Sequence, residues 1–494
     1  MMRKSGTPNV VVILVDTTRA DRLSCYGHVR QTTPHLDALA RESMVYTQAI
    51  SPGAWTPPSH ASIFTGTYGS RHGVDRTHPY LDTPMTTLSE YLRGRGYRTY
   101  GISSNYWISS ATCYDRGFDV FYQSWQLLQA SVNPALDRQR RRDPSYTPPP
   151  APIGERFRGA VNRVDAAFWR TCCSPFMAVD MGAGRVNRVV RRWMRQWAKR
   201  EQPFFAFIHY LEPHLPYRPP ARFLRRYLSE REAKRAETVN QHALKYIGGR
   251  ITVGADDMEL LGRLYDAEIS YTDECIGELV DGLRTSGLLD DTVLVVTSDH
   301  GENLGEHGLM DHMFSVHEPI VRVPLVVRFP GGTPRGQDAG VVQTLDIFPT
   351  VVATLDDEGA AVTEQFQGAP LPPLGLRREF AVTELNQVQP PIETVARRYP
   401  EFDWRVYDRS LCALRTATHK YVQGSDGREE LYALDTDPGE THDLSATDPA
   451  RTAELRGRLA SWRASFTPAA SNGAAPELDA EIRRRLHDLG YIED

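Results

Sequence analysis

The sequence predicts an α/β protein: a large doubly wound mixed sheet flanked by helices, followed by a small C-terminal α+β domain with a short antiparallel sheet. Three observations predict it. Apolar runs of strand length, such as NVVVILV, PFFAFIH and TVLVVTS, end in polar or acidic residues and suit strands buried on both faces. Helical patterns separate these runs through most of the chain, as crossover connections require. Beyond about residue 376 the pattern shifts to short alternating segments around turns, as in CALRTATHKYVQ and REELYALDTDPGETHDLS, which reads as antiparallel strands.

Taken in order, Val10 to Val15 forms the first strand and closes on Asp16. PHLDALARESM reads as a helix, and TPPSHASIFTG begins another with a hydroxyl followed by proline. TLSEYLRGRGYRTYGISSN is a helix interrupted by Gly94 and Gly96, then a strand. From about 125 to 200 the composition turns to proline and arginine, ending in the amphipathic basic segment NRVVRRWMRQWAKR. That stretch reads as an insertion over one edge of the domain, its charges a solvated face or a docking patch for an acidic substrate. Alternation resumes with PFFAFIHYLEPHLPY (strand), LYDAEISYTDECIGELVDGL (helix), TVLVVTSDHGE and RVPLVVRFPG (strands), and the helix PTVVATL. The expected division is a catalytic domain over 1–375, insertion included, and a C-terminal subdomain over 376–494.

The chain has 494 residues with 40% hydrophobic content and a net charge of -5. It is large enough for a sizeable core, and it lacks the overall basic field that would suggest a nucleic-acid partner. Met1 to Pro8 is short and polar, the apolar run after it is too brief for an export core, and nothing approaches the ~20 apolar residues of a membrane helix. A cytoplasmic protein without a membrane span is expected. The six cysteines show no paired metal spacing and are expected to be reduced thiols.

Ligands of open parallel sheets collect at the carboxyl ends of strands. Three such ends carry polar groups: Asp16, the pair Asp299 and His300, and Glu212 with His214. Their oxygens and imidazole suit one divalent metal, although an aspartate at a strand end also serves as a helix cap. In TPPS, Thr56 stands at the N-cap and Pro57 at the first helical position, a preferred helix start. The free N–H groups and partial positive charge there favour an anion and an alkoxide on Thr56. A plain cap is the competing reading.

Several stretches together resemble one family. VDTTRADRLSCYG, TPPSHASIFTG, EPHLPY, YDAEISYTDECIGEL, TSDHGENLGEHG, RVPLVVRFPGG and ELYALDTDPGETHDL are similar, in order, to the signatures of the sulfatase family within the alkaline phosphatase superfamily. The resemblance implies Asp16, Asp299 and His300 as metal ligands, with Thr56 as a nucleophile that also touches the metal. Thr17 stands where many members have a second ligand aspartate. His214 matches the histidine of the family's PHxPY motif and is expected to contact the transferred group or protonate the leaving oxygen. His60 replaces the motif arginine, and Asn105 and His312 fall where two lysines usually clamp sulfate. Asn105 and His312 are expected to bind substrate, and Arg19 is expected to pair with Asp21 in the loop after Asp16, with reach to the substrate as the alternative. His60 is expected either to hydrogen-bond the nucleophile or to pack.

The departures carry chemistry. Family members generally bear Cys or Ser at the nucleophile position, oxidised to formylglycine. Threonine has a methyl on its β-carbon, so oxidation gives a ketone and no formylglycine forms. Superfamily members with a plain threonine include nucleotide phosphodiesterases and the phosphoethanolamine and lipoteichoic-acid transferases, and they point to phosphorus. A threonyl-phosphate is cleared by a second in-line attack. Few fixed cations suit a singly charged diester, while a sulfate ester, also singly charged, remains the alternative substrate. A non-catalytic anion-binding relative is the third reading. Imidazole beside carboxylates favours zinc or manganese over calcium or magnesium. One metal is expected, because TDECIG around Asp273 lacks the histidines of a second site.

Overall fold

A computed structural model describes residues 6–125, 181–357 and 359–468. Its centre is a nine-stranded mixed sheet. Five consecutive strands pair in parallel: β1 (Asn9–Val15), β3 (Arg98–Ser103), β4 (Val120–Gln123), β5 (Phe204–Tyr210) and β6 (Thr292–Thr297), in the order β6-β1-β5-β3-β4. β1 lies centrally, every residue buried, which is why its sequence is continuously apolar. On the other side of β6 lie β10 (Leu325–Arg328), antiparallel to it, then β2 (Met44–Ile50) and β11 (Gly336–Gln343), parallel to each other; the short β9 (Arg322–Val323) also pairs with β2. The antiparallel β10 makes the sheet mixed. An apolar run carries no mark of direction, so RVPLVVRFPG was legible as a strand and not as an antiparallel one.

Helices cover both faces. The longest, Ala255–Thr285, is exposed or half-buried in its first turn and buried on all sides from Leu264 to Asp273. Asp273 on that helix accepts from the backbone N–H groups of His35 (2.9 Å) and Leu36 (2.8 Å), so it caps the start of the helix Pro34–Ala40. Part of the basic stretch is described as the helix Ala183–Trp197, whose Trp193 and Trp197 pack against Tyr100 and Phe204. Residues 126–180 of the expected insertion lie outside the described residues.

After a small hairpin of β7 (Asn303–Leu304) and β8 (Met310–Asp311), the C-terminal subdomain builds an antiparallel sheet. Its strands are β12 (Ala381–Leu385), β13 (Leu411–Arg415), β14 (His419–Gly424) and β15 (Glu429–Ala433), in that order, joined by the helix Pro449–Ala464. A bridge between Gly53 and Glu384, with Glu384 N–H donating to Pro52 O at 2.9 Å, ties β12 to the loop that precedes Thr56. Among the described residues no helix is long and apolar enough to cross a membrane. Cys25, Cys113, Cys275 and Cys412 are free thiols; Cys172 and Cys173 lie outside the described residues.

Candidate active site

The carboxyl ends of β1, β5 and β6 are adjacent because the three strands are neighbours, so Asp16, His214, Asp299 and His300 meet although nearly 300 positions separate the first from the last. Thr56 arrives from outside the sheet at the start of the helix Thr56–Thr65, which is buried throughout. Thr56 is the first helical residue. The N-cap is Trp55, and no side chain caps the helix, which corrects the expectation of a threonine cap. Its hydroxyl is thereby released from capping. Thr56 Oγ1 lies 3.2 Å from His300 Nε2.

Around this pair stand Asp16 and Asp299. His300 Nε2 is 3.3 Å from Asp299 Oδ2 and 3.8 Å from Asp16 Oδ1. His300 Nδ1–H donates to Gly301 O at 3.0 Å, which leaves the Nε2 lone pair facing the carboxylates. Ligand atoms of Asp16, Asp299 and His300 all lie within 4.8 Å of one another. Asp16 Oδ1 and Asp299 Oδ2 are buried without a hydrogen-bond partner, although buried polar atoms are ordinarily satisfied. Two orphaned carboxylate oxygens and an imidazole lone pair fit a divalent cation. Thr17, at the missing aspartate, adopts a left-handed φ of 50° and gives its N–H to Asp299 Oδ1 at 3.3 Å. Two other groups of three, Glu302 with Asp311 and His312, and His307 with His317 and Glu440, also bring ligand-type atoms together.

The electrostatics separate the two aspartates. Burial opposes ionisation of Asp16, but the hydrogen bond and charge of His209, with His214 and His300 beyond it, hold its carboxyl well below the usual range. Asp299 is pushed well above that range by burial and by the negative charge of Asp16. His300 falls to about 3, through burial and the nearby charge of His312.

Two of the expected substrate binders stand at the same place. Asn105 donates from Nδ2 to Asp16 Oδ2 at 2.7 Å and accepts Trp107 N–H at 2.9 Å, so its amide also orients the aspartate. His312 sits with its ring centroid 4.3 Å from that of His300 and 5.3 Å from that of His214. Its Nδ1 meets Asp311 Oδ1 at 2.7 Å and Glu302 Oε1 at 3.3 Å. Burial works against the charged imidazole, but Asp311 and Glu302 raise its pKa well above the ordinary value. His214 gives Nδ1–H to Leu215 O at 2.6 Å, and burial lowers its pKa.

For Arg19 and His60 the structure favours one of the two expected alternatives, the pairing with Asp21 for the first and packing for the second. Arg19 is spent within the loop: Nε and Nη2 reach Asp21 at 2.9 and 2.8 Å, and Nη1 reaches Glu306 at 2.6 Å and Glu302 O at 3.1 Å. It braces the segment carrying Asp299 and His300 instead of binding substrate. His60 Nδ1 lies 2.9 Å from the backbone carbonyl of Thr56, one turn earlier, and does not bond the nucleophile's hydroxyl. Its ring packs on His209 with centroids 4.7 Å apart.

His209, which reads in sequence as a satisfied core residue, belongs to the site. Its Nδ1 pairs with Ser103 Oγ at 3.0 Å and its Nε2 lies 3.4 Å from Asp16 Oδ2. The one available signal was position: His209 is followed by a single residue before β5 ends. Glu302 and Asp311 were also missed. The Asp-His dipeptide at 311–312 was their only local sign.

A mixed α/β sheet with a buried acid, histidine and hydroxyl cluster at its strand ends defines a hydrolase of the alkaline phosphatase superfamily type. Residues 8–357 match the family described as Sulfatase, and 305–464 match N-sulphoglucosamine sulphohydrolase, C-terminal; the chain belongs to the sulfatase family. It is 24% identical over 467 residues to the uncharacterized sulfatase YidJ of Escherichia coli K12, covering 92% of this chain and 85% of that protein. It is 25% identical over 534 residues to the multifunctional alkaline phosphatase superfamily protein PehA of Trinickia caryophylli, covering 92% and 95%. Among solved structures, the phosphonate monoester hydrolase of Agrobacterium radiobacter has a TM-score of 0.65 at 21% identity, covering 92% of this chain and 95% of that one.

Proposed function

We propose that the protein is a metal-dependent hydrolase or transferase that cleaves a phosphate ester, preferably a diester, through Thr56 and a covalent intermediate. The observation that carries this reading is the Thr56 hydroxyl, free of capping and 3.2 Å from His300 Nε2 inside the carboxylate cluster. Asp16, Asp299 and His300, with Thr56, would hold the metal, zinc or manganese by their mixed donors, and the bound ion would lower the hydroxyl pKa and stabilise charge on the phosphoryl oxygens. Thr56 Oγ attacks phosphorus, a threonyl O–P bond forms, and the bond from phosphorus to the leaving oxygen breaks. Water, or an acceptor alcohol in a transferase, then attacks phosphorus and restores the threonine hydroxyl. His214, kept neutral by burial, is suited to take a proton from the attacking group and return it to a leaving oxygen. The His312 imidazolium faces the non-bridging oxygens.

The diester preference rests on charge. With Arg19 committed to Asp21 and Glu306, His312 is the cation this reading assigns to the transferred group, which matches one negative charge better than two. PehA, multifunctional within this superfamily, makes chemistry beyond sulfate hydrolysis reasonable for a relative. A sulfate ester is the second reading, favoured by family membership and by the likeness to YidJ. It would use the same threonine and no formylglycine.

A metal-titrated panel of nitrophenyl phosphodiester, phosphomonoester and sulfate ester separates the readings. The diester is expected to turn over fastest, and turnover of sulfate alone would overturn the phosphorus assignment. Intact mass spectrometry of enzyme quenched during turnover of the diester is expected to show an adduct of the phosphoryl group with its remaining nitrophenyl ester, which Thr56→Ala lacks. That variant should lose about 10³-fold or more in kcat, and full activity would refute Thr56 as nucleophile.

A further inference from the structure

The helix Ala183–Trp197 has a face that the active site does not use. Val186, Val190, Trp193, Met194 and Trp197 are buried. Arg188, Arg191, Arg192 and Arg195 are exposed on the opposite side, within an arc of about 100° at 3.6 residues per turn. Lys199 and Arg200 extend the exposed basic run just past the helix end. The helix contains no acidic residue. Arg191 pairs with Glu278 at 3.4 Å, whereas Arg188, Arg192 and Arg195 have no ion-pair partner among the described residues. In a chain of net charge -5, this is a concentrated positive stripe about 11 Å long from Arg188 to Arg195 at 1.5 Å per residue.

The helix, though not the stripe itself, starts beside the strand ends that carry the site. Ala183 N–H donates to Glu212 Oε1 at 3.2 Å, at the carboxyl end of β5. A Cβ placed on Gly182 would lie 2.9 Å from Ser104 Oγ, next to Asn105. The arginines therefore follow, from the second turn onward, a helix that runs away from those strand ends.

We infer that this face binds a linear anionic polysaccharide, holding neighbouring charged groups of the chain whose ester lies at Thr56. Repeated guanidinium groups along one line match repeated sulfate or phosphate groups, and their binding releases counterions. The exposed arc carries no aromatic platform for unstacked bases and no apolar side chain to enter a bilayer. A polysaccharide needs neither. The identity of the occupant as substrate rests on the proposed function, whereas its binding to the stripe does not.

The test is equilibrium binding of dextran sulfate to the full chain, read by titration calorimetry over a range of salt concentrations and without turnover. Comparators are a single-stranded oligonucleotide and phosphatidylserine vesicles. The triple variant Arg188→Gln, Arg192→Gln, Arg195→Gln alters exposed side chains only, and its thermal unfolding serves as the check on folding. Wild type is expected to bind dextran sulfate with affinity that falls as salt rises. The variant is expected to bind roughly tenfold or more weakly with a shallower salt dependence. Equal binding by variant and wild type overturns the proposal, and so does tighter binding to the vesicles or the oligonucleotide. Because no ester need be cleaved, a protein inactive on every nitrophenyl ester still reports on this surface.

Discussion

Asp16 is held by two side chains before any ligand arrives, Asn105 at 2.7 Å and His209 at 3.4 Å, both on Oδ2. That leaves Oδ1 orphaned and aimed into the cluster. Partners that orient a ligand carboxylate tune metal affinity as strongly as some ligands do. His209→Gln is expected to weaken metal affinity by about 10–100-fold, measured by titrating the metal-stripped protein, while saturating metal restores most of the turnover. Unchanged affinity would return His209 to the core. The four central residues were legible because each stands where an element ends: Asp16 after β1, Asp299 and His300 after β6, Thr56 at a helix start. His209 was not, since a histidine inside an apolar strand looks the same whether it faces packing or a carboxylate 193 positions away. The pairing of Arg19 with Asp21 was legible from their closeness in sequence, whereas its bonds to Glu302 and Glu306 were not, because those partners lie more than 280 positions away.

At the scale of elements, the loop after β6 must bring Asp299 and His300 under Thr56, and it does so by pressing against the helix Glu318–Val321. Gly301 N–H donates to Ile320 O at 2.6 Å, and a Cβ on Gly301 would sit 2.0 Å from Pro319 O. That obstacle is backbone, so it cannot rotate away. Gly301→Ala is expected to destabilise the fold by about 1–3 kcal/mol, read by chemical denaturation, and to weaken metal binding because His300 moves with its neighbour. A variant of wild-type stability and metal affinity would show the loop to be more yielding than this packing implies. The long central strands were legible from their apolar runs. Strands β2, β11 and β12 were not, since MVYTQAI, GQDAGVVQ and AVTEL mix polar and apolar residues according to local cover, and β12 is defined as much by its attachment to Pro52 and Gly53 as by its own pattern.

At the scale of the whole molecule, a buried ion pair inside the C-terminal subdomain reaches the catalytic domain through contacts to Glu318. Lys420 of β14 places Nζ 2.8 Å from Glu440 Oε1. Glu440 Oε2 accepts the backbone N–H of Glu318 at 2.6 Å, at the start of the helix that Gly301 abuts. Both side chains are buried, at 0% and 2% exposure, so neither charge has water to fall back on. Burial alone would raise the Glu440 pKa, but Lys420 and His317 bring it below the usual carboxylate range. A carboxyl depressed on folding contributes stability that is fully present above its unfolded pKa, about 4.3, and is lost as pH falls through the folded value. Glu440→Gln keeps the shape and removes the charge, leaving the buried Lys420 ammonium with Glu318 at 3.5 Å. The variant is expected to be less stable than wild type by about 3 kcal/mol near neutral pH. Denaturation measured from pH 7 downward should show that gap narrowing below about pH 4, as wild-type Glu440 takes up the proton that glutamine never needs. A gap that stayed constant to the lowest pH would mean that shape and not charge joins the two domains.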